Sequence, residues 1–80
     1  MDDADIVQRI RELTEQEHAL ERGHVGQGLS PEELERLRAA EVALDQCWDL
    51  LRQRRARRDA GQNPDEATVR SEGIVERYEQ

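Results

Sequence analysis

SPEELERLRAAEVALDQCWDLLRQRRARR, residues 30–58, is the longest uninterrupted helical pattern in the chain, and its reading decides the fold. Ser30 is placed to cap the helix, Pro31 suits the first helical position and Glu33 completes a capping box. Leu29 is spaced to staple against Leu34 across the cap. From there Leu34, Leu37, Glu41, Leu44, Trp48 and Leu51 recur at intervals of three and four. That is an a/d seam broken by one acid, the pattern of a helix that packs against other helices. Beyond Leu51 the next seam positions are Arg55 and Arg58, so packing is expected to end there while helix propensity continues.

Working towards the N-terminus, residues 3–22 predict a first helix with Ile6, Ile10, Leu13 and Leu20 on one face and Glu17 at the polar seam position. Asp2, Asp3 and Asp5 sit where the positive end of the helix dipole favours them. GHVGQG, residues 23–28, carries three glycines and no period, so the first helix should stop at Gly23 and a short loop, 23–29, should make the two helices antiparallel neighbours. Zipping up from that loop pairs Leu20 with Leu34, Ile10 with Leu44 and Ile6 with Trp48. Glu17 then faces Leu37, and Glu41 faces Leu13. The longer second helix, 31–60, would overhang the first at its arginine-rich end.

Towards the C-terminus, Gly61 gives a stop, and Asn63-Pro64-Asp65-Glu66 repeats the cap, proline and acid pattern, predicting a helical turn at 64–69. Ile74, Val75 and Tyr78 can form a short apolar face that folds back on Trp48 and Leu51. The expected fold is therefore all-α: one domain over residues 1–80, an antiparallel two-helix hairpin of coiled-coil type with a C-terminal helical arm at 61–80.

Composition limits the core. Only 35% of the 80 residues are hydrophobic, with one Trp, one Tyr and no Phe, and the net charge is −7. So little apolar bulk favours completion of the hydrophobic core by self-association, as a homodimer, or by docking on another protein. The longest apolar run is three residues, Val42 to Leu44, which excludes a membrane span. One cysteine, Cys47, excludes an internal disulfide and suits a reducing compartment, and the N-terminus lacks the order of a secretory signal. The expected location is the cytoplasm.

Candidate chemistry is sparse. RQRRARR, residues 52–58, contributes Arg52, Arg54, Arg55, Arg57 and Arg58; removing its +5 from the net −7 leaves −12 on the remainder. These arginines are the candidate interaction surface, either for nucleic-acid phosphates or for the acidic first helix of another molecule. The plainer reading is that cations offset the dipole at a helix C-terminus. Glu15 and His18 have the Glu-x-x-His spacing of di-iron bundles, but heptad phase turns both to solvent, and neither His24 nor Cys47 completes a zinc spacing. No metal or cofactor is expected. Cys47, beside Trp48, reads as a small buried hydrophobe, and Glu17 and Glu41 read as devices that fix helix register.

Two resemblances accompany these residues. LRAAEVALDQCWDLLRQRR resembles the first helix of the all-helical chorismate mutases, with Leu37, Arg38, Leu44, Asp45, Trp48, Leu51 and Arg55 on matching positions. That likeness implies Arg38 and Arg55 as grips for substrate carboxylates. Glu41 and Arg52 stand where the pattern is apolar, and only 25 residues follow Arg55, too few for the helices that complete such a site. LDQCWDLLRQRRARR, with Gly61, Asn63-Pro64-Asp65 and the terminal Val75, Tyr78 and Gln80, resembles a family of short actinobacterial proteins known only as a domain of unknown function. The resemblance implies a cytoplasmic bacterial protein and brings no activity, cofactor or site residue. The function expected is a non-catalytic protein–protein interaction module. Nucleic-acid binding through the arginine-rich helix end is the alternative, and a chorismate-mutase-like enzyme the second alternative.

Overall fold

The computed structural model describes residues 1–22 and 28–79, with side chains through residue 75. In chain order it contains α1 (Asp3–Arg22), α2 (Pro31–Asp59), a 3₁₀ turn (Pro64–Glu66) and α3 (Glu72–Glu79), with no strand among the described residues. The protein is thus an all-α hairpin with a C-terminal arm, and α2 is central: α1, the 3₁₀ turn and α3 each pack on it. The expected stop at Gly23, the rest of the loop up to residue 27 and the side chain of Tyr78 lie outside the described residues.

The caps form as short-range chemistry dictates. The Glu33 backbone N–H donates to Ser30 Oγ at 3.2 Å and the Ser30 N–H donates to Glu33 Oε1 at 3.0 Å, satisfying two donors that the first turn of α2 leaves without helical partners. An equivalent exchange opens α1, where the Asp5 N–H donates to Asp2 Oδ1 at 2.8 Å and the Asp2 N–H to Asp5 Oδ2 at 3.2 Å. That hydrogen bonding holds the Asp2 carboxyl below its ordinary pKa. At the other end of α2, Gly61 takes φ +72°. The Gln62 N–H reaches Arg57 O at 2.7 Å and the Gly61 N–H reaches Arg58 O at 3.1 Å, a Schellman termination. Asn63 caps the turn that follows, which is 3₁₀ over three residues rather than the helical turn expected at 64–69.

The register between the helices differs from the expected one by about one turn. Asp3, at the start of α1, pairs with Arg54 and Arg58. At the other end of α1, Ala19 and Leu20 lie beside Arg36, Ala39 and Ala40, and Glu17 and Glu21 approach Glu41. The side of α2 that meets α1 is therefore Arg36, Ala40, Ala43, Cys47, Leu50 and Arg54, with Leu44 and Leu51 along its edge, a stripe of alternating threes and fours one position round the helix from the predicted seam.

Four expectations are corrected by this shift. Trp48 is 53% exposed and does not meet Ile6, which instead packs with Ile10 and Leu50 against Leu44, Cys47, Leu51 and Ala67. Leu34, also 53% exposed, does not meet Leu20, because the unmatched length of α2 lies at the loop end rather than at the arginine end. Glu17 and Glu41 approach each other instead of facing Leu37 and Leu13. Packing does not end at Leu51, since Arg54 takes the next position on the buried stripe. Of the predicted seam, Ile6, Ile10 and Leu13 are buried, Leu20, Leu37, Leu44 and Leu51 are half-buried, and Leu34 and Trp48 are exposed.

Candidate functional site: the Arg54 and Asp49 ion pairs and the open face of alpha 2

Two charged side chains are buried among the described residues, Asp49 at 1% and Arg54 at 6% exposure, both on α2. An ion removed from water is tolerated only where partners replace its hydration, and each has them. Arg54 donates through Nε to Asp3 Oδ1 at 2.6 Å, and through Nη1 to Asp65 Oδ1 at 3.0 Å and to Pro64 O at 3.2 Å. One guanidinium thus joins the start of α1, the C-terminal part of α2 and the 3₁₀ turn. Arg58 adds a second bond to Asp3 at 2.7 Å. Hydrogen bonds from Arg58 and Arg54 hold the Asp3 carboxyl down at about 2, and the bonds to Asp3 and Asp65 raise Arg54 in turn.

Asp49 organises the opposite side of α2. Arg70 grips it with two parallel bonds, Nε to Oδ2 at 2.9 Å and Nη2 to Oδ1 at 2.8 Å, and Gln53 donates to the same carboxylate at 3.0 Å. Gln53 also donates to Thr68 O at 2.6 Å and Gln46 to Arg70 O at 3.3 Å, so two α2 side-chain amides satisfy carbonyls of the extended strip between the 3₁₀ turn and α3. Held this way, α3 buries Val75 as expected of its apolar face, while Ile74 stays open.

These pairs redefine the arginine stretch. Of the candidate surface Arg52, Arg54, Arg55, Arg57 and Arg58, Arg54 is buried and Arg58 is tied to Asp3. Arg57 pairs with Glu66 at 3.5 Å and Arg52 lies 3.9 Å from Asp49. Arg55 alone of the five has no ionic partner among the described residues. Sequence reasoning missed Asp49, Arg54 and Arg70 as structural ions. The available signal was the phase of Arg54, which continues the stripe Ala40, Ala43, Cys47 and Leu50 by threes and fours.

Other candidates fall as follows. Glu15 and His18 are both exposed on the outer side of α1. Among the described residues, the one grouping with spacing for a cation is Glu17, Glu21 and Glu41, which bring one carboxylate oxygen each to within 4.8 Å of one another. Two of the three are exposed, and three carboxylates are well short of the six to eight oxygens that calcium takes. Cys47 is half-buried against the core, and burial pushes its thiol pKa up, away from the reactive thiolate. Arg38 and Arg55 are both exposed and, seventeen residues apart on one helix, stand about 25 Å from each other.

What α2 does leave open is a face. Leu34, Glu41 and Trp48 are exposed and Leu37 is half-buried, while Leu44 and Leu51 form the edge that packs on Ile6, Ile10 and Leu50. This is the a/d stripe that the sequence presents most strongly, now turned away from α1.

Residues 2–80 match a family described as "Protein of unknown function (DUF2630)". The chain belongs to the DUF2630 family. Similar relatives are uncharacterized proteins of Mycobacterium bovis and of two strains of Mycobacterium tuberculosis. Each is 48% identical over 77 residues, an alignment covering 95% of this chain and 88% of the relative. No solved structure matches the DUF2630 chain. No helix among its described residues is long and apolar enough to cross a membrane.

Proposed function

We propose that this DUF2630 chain is a non-catalytic protein–protein interaction module that presents the Leu34, Leu37, Trp48 and Leu51 face of α2 to a partner protein. One observation carries the reading: the only tryptophan, in a chain 35% hydrophobic, stands 53% exposed on a helical stripe with Leu34 equally open. Large aromatic side chains dominate binding energy where they can be buried in a complex, and a core this poor in bulk would otherwise use one. The single half-buried Cys47 suits a reducing compartment, and we take the cytoplasm as its site.

Phosphate contact through the arginine stretch is the weaker reading, since Arg54, Arg57 and Arg58 already serve carboxylates of the same chain and the remainder of the molecule is acidic. Chorismate chemistry is weaker still, because Arg38 and Arg55 stand about 25 Å apart along one helix.

Trp48→Asp tests the reading. The variant keeps native far-ultraviolet circular dichroism and melts within about 1 kcal/mol of the parent, as an exposed substitution should, while losing association with its partner. Unfolding of the variant would place Trp48 in the chain's own core and overturn the reading.

A further inference from the structure

We infer that the occupant of the open α2 face is a second copy of this chain, lying antiparallel across it. The inference rests on the reading of that face as an interaction surface and assigns both partner and register. In an antiparallel helix pair, a positions meet d positions of the neighbour. With Leu34, Glu41 and Trp48 at a and Leu37, Leu44 and Leu51 at d, one alignment places Leu34 on the partner's Leu51 and Leu37 on the partner's Trp48. Glu41 then lies against the partner's Leu44. Leu34, Leu37, Trp48 and Leu51 of each stripe are thus covered by apolar side chains, over about 26 Å of helix.

Charge selects that alignment. Arg38 and Asp45 flank the stripe at successive e positions, and neither has an ionic partner among the described residues of its own chain. In the alignment above Arg38 sits beside the partner's Asp45, and the two-fold axis repeats the pair. Sliding one helix by a heptad sets Asp45 against the partner's Asp45 and Arg38 against the partner's Arg52. Parallel pairing stacks Glu41 on the partner's Glu41. Like charges at either place oppose those arrangements. Glu41, beside Glu17 and Glu21, remains the one unfavourable member of the preferred pairing and keeps the dimer reversible.

Light scattering and sedimentation equilibrium from 10 to about 500 μM, read alongside circular dichroism, test the assignment. The parent chain is expected to dimerise. Arg38→Asp and Asp45→Arg, each folded, weaken the dimer at least tenfold, because each sets like charges together; an equimolar mixture of the two restores it, because both cross-pairs are again opposite. Glu41→Leu tightens it. A spin label at Ala56→Cys in a Cys47→Ser background gives a distance of about 40 Å in the dimer, set by the antiparallel offset at 1.5 Å per residue, against less than about 25 Å for a parallel pair. A chain that stays monomeric throughout, with Trp48→Asp still folded, overturns the second copy as occupant and leaves the open face to a different protein. A dimer indifferent to both charge reversals, or a short label distance, overturns the register. If Trp48→Asp unfolds, the interaction reading falls and the inference with it.

Discussion

Asp49 and Arg54 show at the scale of single residues how a chain with few large hydrophobes holds its parts together. Breaking a buried ion pair from one side leaves the other charge without compensation. Asp49→Ala is therefore expected to lose about 3 kcal/mol in urea unfolding, with faster proteolysis beyond residue 60 as Arg70 and Gln53 release the arm. Arg55→Ala, on the exposed side, should stay within about 0.5 kcal/mol of the parent. Asp3 makes the fold sensitive to acid. Its carboxyl titrates at about 2 in the folded chain against 3.8 ordinarily, so it binds its proton more readily when unfolded. Its contribution to stability is present above about pH 4 and is lost as pH falls towards 2. A melt series from pH 5 to pH 2 should decline, and the decline should be shallower in Asp3→Asn. None of these three ions was legible in the sequence, where an arginine among arginines reads as solvated. Asp49 is recognisable as buried only once Arg70, 21 residues away, lies over it.

At the scale of elements, what could be read locally was read well. The bounds of α1 and α2, the Ser30–Glu33 box and the stop at Gly61 depend on residues within four or five positions of one another, and short-range chemistry settles them. Gly61 provides a measurement. Its φ of +72° is costly for any residue with a side chain, and a Cβ there would meet nothing within 4 Å. Gly61→Ala should therefore cost about 1 kcal/mol from the backbone alone, seen as a lower urea midpoint at unchanged slope. Register was not legible. Two adjacent stripes of α2 are open to α1, Leu34, Leu37, Leu44, Trp48 and Leu51 on one and Ala40, Ala43, Cys47 and Leu50 on the other, and the heptad alone prefers the one with Trp48. The choice falls to Asp3 meeting Arg54 and Arg58, a contact between residues more than fifty positions apart that no local pattern encodes. The open face of α2 follows from that choice, which is why the sequence shows the stripe but pairs it with the wrong neighbour.

At the scale of the whole molecule, α2 is a spine with α1 on one side, the arm on another and a third side uncovered. The described core that results is small: Ile6, Ile10, Leu13, Ala40, Leu50 and Val75 are its buried hydrophobic members, and two ions share the interior with them. Heat capacity of unfolding grows with apolar surface newly wetted and falls with polar surface, and an average chain of this length would show about 1 kcal/mol/K. This one should show less in calorimetry of the dilute monomer. Its free energy of unfolding then bends only gently with temperature, so the protein loses little on chilling.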